Sequence, residues 1–135
     1  MKSRYFRIEE LVDKATYSAR GDRAWELLNP NLILFIDLIK EKFPEGTITI
    51  NNWLWGGDRQ WSGLRTPNSP WYSTYSQHSF GNAVDMLLSA YPSEEVRKYI
   101  HSNLHEFPML KGLEKDVTWV HADVRNRIDL LEFSA

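Results

Sequence analysis

The sequence predicts an α+β fold, with helices packed on a small, mostly antiparallel sheet. Two observations support this. Apolar residues recur at helical spacing over residues 7–18 and 30–43, and the pattern then changes to the strict alternation of a strand at 47–50. Two later segments, 83–88 and 117–124, are short and rich in apolar residues, as strands are. Helices and strands that are not regularly interleaved indicate α+β rather than a parallel α/β sheet.

The sequence predicts three helices. Residues 7–18 place apolar side chains on one side and charged ones on the other, which is typical of an amphipathic helix. A second helix is expected to begin after Asn29, which can cap it, with Pro30 at its first position. It is expected to end near Phe43. A third helix is expected to open at Pro92.

Between and after the helices the sequence predicts strands at 47–50, 83–88 and 117–124, and a short amphipathic tail from Arg127. Residues 51–77 are rich in Gly, Pro, Ser, Asn and aromatic residues and show no period. A segment this long without regular structure is usually functional. It holds four of the six tryptophans, which either pack in the core or line a cleft: Trp53, Trp55, Trp61 and Trp71.

Composition excludes several classes of protein. The 135 residues fit one domain, 1–135. The absence of cysteine excludes disulfides, thiolate metal sites and a cysteine nucleophile, so a metal site must use His, Asp or Glu. A net charge of −2 gives no basic surplus for binding nucleic acid. The charged start predicts a protein made in the cytoplasm without a signal peptide, and the longest apolar run, 32–36, is too short for membrane insertion.

The stretch from Ser76 to Asp85 is the most informative for function. His78 lies at the end of the long loop, and Gly81 allows a sharp turn after it. Asp85 falls inside an apolar strand, where an unpaired carboxylate would be costly to bury. Its partner is therefore expected to be a metal cation, an arginine or a cap.

A second cluster of polar residues lies in the last predicted strand. Alternation places His121, Asp123 and Arg125 on one face, with apolar residues on the other. This pattern is typical of the wall of a site, although a solvated face with a salt bridge would give it too. Together with His78 and Asp85, His121 completes a zinc ligand set of two imidazoles and one carboxylate, which leaves a fourth position open as in catalytic sites. A nearby carboxylate would then have to accept the proton of the attacking water.

These motifs resemble those of the zinc murein peptidases, a family that includes D-alanyl-D-alanine carboxypeptidases and L-alanyl-D-glutamate endopeptidases and has the hedgehog/DD-peptidase fold. The family pattern Ser-x-His-x-x-Gly-x-Ala-x-Asp is matched over residues 76–85, and its Trp-x-His over 119–121. The family's Ser-Gly-Tyr-Arg-Thr/Ser-Pro is matched over 62–67 except at Leu64. Residues 5–11 also resemble the family's first helix, and the likeness is strongest to its small phage and bacterial members.

The resemblance implies a role for each matched residue. One Zn²⁺ ion would be held by His78, Asp85 and His121. Arg65 would hold the substrate's carboxylate or stabilise the oxyanion, since a guanidinium stays charged and binds bidentately; the alternative for Arg65 is a surface salt bridge. Ser76 would support the site by hydrogen bonding. The peptide groove would be lined by five aromatic residues: Trp53, Trp55, Trp61, Trp71 and Tyr72.

The general base is not given by the resemblance. Many family members carry an acidic residue three positions before the last ligand or a second His two before it, and here those positions are Thr118 and Trp119. Asp123 is the first choice, because strand alternation places it beside His121. Asp123 could instead orient His121 or pair with Arg125. Two residues expected in the turn before the strand are the alternatives: Asp116 and Glu114.

Two functions follow as hypotheses. The first is a monomeric zinc metallopeptidase that hydrolyses peptidoglycan stem peptides, of the carboxypeptidase or the endopeptidase type. It could be a phage endolysin that a partner holin releases to act on the cell wall. The second is a zinc-binding, catalytically inactive virion or cell-wall-binding module. The missing acid at Thr118 is the feature that keeps the second hypothesis open.

Overall fold

The computed structural model describes residues 1–134 as three helices and a five-stranded sheet. The helices are α1 (Lys14–Arg20), α2 (Pro30–Lys42) and α3 (Ser93–Ser102). The strands are β1 (Ile48–Thr49), β2 (Ala83–Leu88), β3 (Gly112–Glu114), β4 (Val120–Asp123) and β5 (Leu131–Phe133). Their order in the sheet is β1-β2-β4-β3-β5, and every neighbouring pair is antiparallel except β3 and β5. The predicted α+β class is confirmed.

The core forms where α2 meets one face of the sheet. Asn29 caps α2 by accepting a hydrogen bond from the Asn31 amide at 2.9 Å, and Pro30 occupies the first turn, as predicted. The buried apolar side chains of α2 belong to the same cluster as alternate residues of β2 and β4. Each Val, Leu, Ile, Phe or Met side chain of this cluster contributes about 1.5–3 kcal/mol when fully buried. The members of this cluster from β2 and β4 are Val84, Met86, Leu88, Val120 and Ala122.

The first helix begins later than predicted. Residues 8–10 form a 3₁₀ turn, closed where the Glu10 carboxylate accepts a hydrogen bond from the Arg7 amide at 2.7 Å. Helix α1 then starts at Lys14, because the Asp13 carboxylate caps it by accepting from the Thr16 amide at 3.1 Å. The helical spacing of the apolar residues therefore spans two elements, not one.

The C-terminal third holds two strands that the sequence did not predict, β3 and β5. Strand β4 is also shorter than the predicted 117–124, because residues 116–119 form a bend in which Asp116 has a φ of 65°. Strand β3 pairs with β4 on one side and with β5 on the other. The tail expected from Arg127 thus supplies an edge strand of the sheet.

Register on the face away from the core positions the polar residues. In the β2–β4 ladder Asp85 is opposite His121, and Ala83 is opposite Asp123. Side chains directly opposite each other share a face of the sheet. The predicted face of β4 is therefore observed, with His121 and Asp123 on the side away from Val120 and Ala122. Among residues 1–134, the helices are too short or too polar to cross a bilayer.

Candidate metal centre

The structure brings the three predicted ligands together. His78, Asp85 and His121 each offer one ligand atom, and these atoms lie within 4.8 Å of one another. Asp85 Oδ1 is 3.3 Å from His78 Nε2 and 2.9 Å from His121 Nδ1. Both imidazoles are buried, and Asp85 is nearly so. Two nitrogens and a carboxylate that converge in this way can hold a single metal ion.

His78 is held by the 3₁₀ turn Gln77–Phe80. Ser76 begins this turn, its hydroxyl accepting from the His78 amide at 3.3 Å, and Gly81 ends it in the left-handed region with a φ of 71°. The ring Nδ1 of His78 lies 2.8 Å from the Gly63 carbonyl and donates to it, which leaves Nε2 facing Asp85. Ser76 therefore acts on the backbone of His78.

His121 is held from behind by a carboxylate. Its Nε2 lies 3.0 Å from Asp123 Oδ2, on the ring edge opposite to the one that faces Asp85. Arg125 fixes Asp123 through Nε and Nη2 at 2.7 and 2.6 Å, and its guanidinium lies 5.0 Å from the ring centre of Phe133. Gly112 makes room for this arrangement, because a Cβ there would lie 2.2 Å from the Asp123 carboxylate.

The buried charges of this cluster shift one another's pKa values. Burial alone would raise the pKa of Asp85, but hydrogen bonds from His121 and His78 hold it well below its usual range. Burial alone would lower the pKa of His121, but its hydrogen bonds to Asp123 and Asp85 raise it to about 9. Without a metal, the two carboxylates thus favour a protonated His121. A bound cation would take the place of that proton.

Arg65 connects the cluster to the long loop. Its Nη2 lies 3.1 Å from Asp85 Oδ2, and its Nε donates to the Trp61 carbonyl at 2.8 Å. Burial lowers the pKa of Arg65, and the charge of Asp85 opposes that shift. Arg65 was expected either to bind the substrate or to form a surface salt bridge, and a salt bridge is present. Its partner is a candidate ligand rather than a surface acid.

The three carboxylates considered as the base lie in different places. Asp123 is fully buried behind His121, so its position fits the orienting role. Asp116 is exposed, accepts from the Ser134 hydroxyl at 2.7 Å and lines a different cavity from the cluster. Glu114 is buried in β3, not in the predicted turn. Continuing the β3–β4 register places it opposite His121, and its charge acts on Arg65.

A cleft of about 500 Å³ opens beside Asp85. Three tryptophans line it, together with two arginines: Trp61, Trp71, Trp119, Arg59 and Arg65. The cleft interpretation holds for Trp61 and Trp71. Trp53 is half-buried rather than a member of the apolar core described for residues 1–134; it packs on Tyr17 and donates to the Val12 carbonyl at 2.8 Å.

Three of the predicted groove residues lie outside this cleft: Trp53, Trp55 and Tyr72. Trp55 lines a separate cavity, together with Tyr5. Tyr72 lines neither of the two. Of the five aromatic residues predicted for the groove, the structure therefore places two in this cleft, Trp61 and Trp71.

Two residues that position the site were missed. Asn51 is fully buried at the start of the loop, where its side chain donates to the Val12 carbonyl at 3.1 Å and accepts from the Ser62 amide at 3.0 Å. Arg59 donates to the Ile50 carbonyl at 3.2 Å and to the Ser62 hydroxyl at 2.9 Å. The position of Asn51 directly after the predicted strand was a sequence signal for its role, because asparagine side chains there often bond to nearby backbone groups. Arg59 has no pattern around it that marks it.

Comparisons of the chain with protein-family models, curated proteins and solved structures give no match. The chemistry of the His78–Asp85–His121 cluster therefore carries the functional conclusion.

Proposed function

We propose that the protein is a zinc-dependent peptidase that hydrolyses peptide bonds of peptidoglycan stem peptides. The convergence of His78, Asp85 and His121 beside an open cleft carries this proposal. The second ring nitrogen of each imidazole is hydrogen-bonded to an oxygen, that of His78 to the Gly63 carbonyl and that of His121 to the Asp123 carboxylate. Metal-binding histidines are usually oriented in this way. Two nitrogens and one oxygen leave a position open, which is the pattern of catalytic zinc.

The protein's own residues would position the reaction. A bound zinc ion supplies a Lewis acid that polarises the scissile carbonyl. Arg65 lies at the cleft wall and, held by the Trp61 carbonyl, would position Asp85 through their ion pair. Glu114 is the carboxylate best placed to accept a proton, because it lies on the same face of the sheet as His121 and is not committed to an ion pair of its own among residues 1–134.

An inactive zinc-binding module is the second candidate. It is favoured by Thr118 at the position where the resembled family carries an acid, and by the engagement of Asp123 with His121 and Arg125. This candidate shares the metal site with the first and differs only in turnover.

The test combines metal analysis with an assay of peptide release from purified murein. We expect wild type to bind one zinc ion and to release peptide. Glu114→Gln should keep the zinc and lose about 10²–10⁴-fold in rate, the usual contribution of a general base. Asp116→Asn should retain both the zinc and the rate, because Asp116 is exposed, accepts a hydrogen bond from Ser134 and lines a different cavity.

Each result decides between the candidates. Stoichiometric zinc without release from any murein would leave only the binding module. Retention of zinc by His78→Ala would show that the ligand assignment is wrong. A loss of rate in Asp116→Asn, with Glu114→Gln unaffected, would exchange the roles of these two carboxylates.

A further inference from the structure

The cleft beside Asp85 contains two arginines in different electrostatic states. Arg65 is paired with Asp85 through Nη2, so much of its charge is balanced within the protein. Arg59 forms no salt bridge with any of residues 1–134, although it is half-buried and lines the same cleft. An arginine withdrawn from water without an acidic partner is unusual, because burying a charge is costly unless it is paired. Arg59 thus lacks an anion that Arg65 already has.

The guanidinium of Arg59 is held in place. Its Nε donates to the Ile50 carbonyl and its Nη2 to the Ser62 hydroxyl, while its own amide donates to Asn52 Oδ1 at 2.9 Å. These bonds leave Nη1 without a protein partner in the described chain. A guanidinium that is already ordered loses little entropy when it binds a further group.

Ser62 connects this guanidinium to the metal cluster. Its hydroxyl accepts from Arg59, and its carbonyl accepts from the Asp85 amide at 2.8 Å. Arg59 is therefore braced, through one buried residue, against the strand that carries a candidate metal ligand. A group bound by Arg59 would therefore lie at a fixed distance from Asp85.

We propose that Arg59 is the residue that binds a carboxylate of the substrate, so that the cleft selects acidic peptides. This inference rests on the proposed peptidase function and names its substrate class. The resemblance gives carboxylate binding to Arg65, but the Arg65–Asp85 pair makes Arg65 a positioning residue for Asp85. Asp58 also lines the cleft, but it is exposed and is not paired with Arg59.

The carboxylate could come from either of two parts of a stem peptide. One is the C-terminal carboxylate of a terminal D-alanine, and the other is the free carboxylate of a glutamate on the leaving side. The two sources are distinguished by peptide pairs that differ only in having a carboxylate or a carboxamide at one of these positions.

The experiment measures kcat/KM for both peptide pairs with zinc-loaded wild type, Arg59→Gln and Arg59→Lys. We expect wild type to prefer the carboxylate in one pair. Arg59→Gln should lower kcat/KM for that carboxylate peptide about 10–100-fold, the range of a charge-assisted hydrogen bond. The carboxamide peptide should change less than about threefold, and Arg59→Lys should restore part of the preference because it keeps the charge.

The matched control is Arg23→Gln, which removes an exposed arginine outside the cleft, paired with Glu26. It should leave both peptides unaffected. Melting temperature and zinc content are measured for every variant, because Arg59 also braces the loop. An equal loss on both members of the pair would show that Arg59 is only a structural brace, and the inference would be wrong. A wild type without preference in either pair would overturn it as well.

Failure of the proposed function is distinguishable from failure of this inference. If zinc-loaded wild type hydrolyses no peptide, binding of the same pairs is followed by intrinsic tryptophan fluorescence, to which Trp61, Trp71 and Trp119 in the cleft contribute. Tighter binding of the carboxylate peptide by wild type than by Arg59→Gln would still support the proposal that Arg59 binds a carboxylate. Equal binding of both members by both proteins would refute it.

Discussion

The two halves of the candidate metal centre are built in different ways. Asp85 and His121 stand opposite each other in the β2–β4 ladder, so repeated main-chain hydrogen bonds set their separation. His78 and Arg65 belong to the segment between β1 and β2, which contains only 3₁₀ turns as regular structure. That segment is fixed by single side chains that bond to the backbone, above all Asn51 and Asn52.

The loop half of the site is more vulnerable to single substitutions than the sheet half. Register in a ladder is a collective property of many bonds, and a one-residue slip would move every side chain to the other face. A loop held by individual polar side chains has no such redundancy. Substitutions of the side chains that brace the loop half should therefore act through folding, whereas substitutions of the polar residues on the sheet half should act mainly through the metal.

The largest effect on the loop half is expected from Asn51→Ala. The substitution leaves the Val12 carbonyl and the Ser62 amide without their partner in a buried setting, at about 1–3 kcal/mol for each group. Urea unfolding of the metal-free protein measures this loss. Asn68→Ala is the control, because Asn68 is an exposed asparagine of the same loop and should change stability by less than about 0.5 kcal/mol. Equal losses of unfolding free energy in both variants would contradict the view that the loop depends on single bracing side chains.

On the sheet half, Asp123→Asn should weaken zinc binding while the fold persists. The substitution removes the anion that orients His121 Nε2, and such supporting partners are worth about 10–100-fold in metal affinity. Competition with a chromophoric chelator gives the affinity, and Asp129→Asn, an exposed aspartate near the C-terminus, is the control. Unchanged zinc affinity in Asp123→Asn would remove the orienting role.

The pH dependence follows from the raised pKa of His121, about 9 without metal. Because the pKa of His121 in the folded protein lies above its usual value of 6.5, the contribution of this proton to the stability of the metal-free protein is complete below about pH 6.5 and is lost as the pH rises through 9. Zinc must displace this proton, so zinc affinity should rise about tenfold per pH unit between 7 and 9. Calorimetry in buffers of different ionisation enthalpy counts the released proton. A flat affinity over this range would contradict the raised pKa.

The smallest effect separates two tryptophans of the loop with nearly equal exposure, Trp71 at 66% and Trp55 at 63%. Trp71 lines the cleft and Trp55 does not. Trp71→Ala should lower kcat/KM on a stem peptide about fivefold, the value of roughly 1 kcal/mol of aromatic contact. Trp55→Ala should leave it within a factor of two. The reverse order would mean that the peptide lies across the other cavity.

The same contrast explains what the sequence could predict. Alternation in β2 and β4 places Asp85, His121 and Asp123 on one face, because a period of two directly encodes which side a residue takes. Strands β3 and β5 are too short for a period, and their pairing depends on distant parts of the chain. Glu114 was therefore expected in a turn. The role of Arg59 depends on the fold of an aperiodic loop, which local pattern does not encode.

One consequence follows from the ligands lying on different parts of the chain. His78 comes from the loop and the other two ligands come from the sheet, so a bound ion would act as a cross-link closing rings of chain from 78 to 85 and from 78 to 121. Such a link removes conformational freedom from the loop, much as any ring closure does. Chelation should therefore loosen the exposed stretch around Trp71, where a protease would cut first. The cutting rate there would report how much of the protein carries its ion, without any substrate being needed.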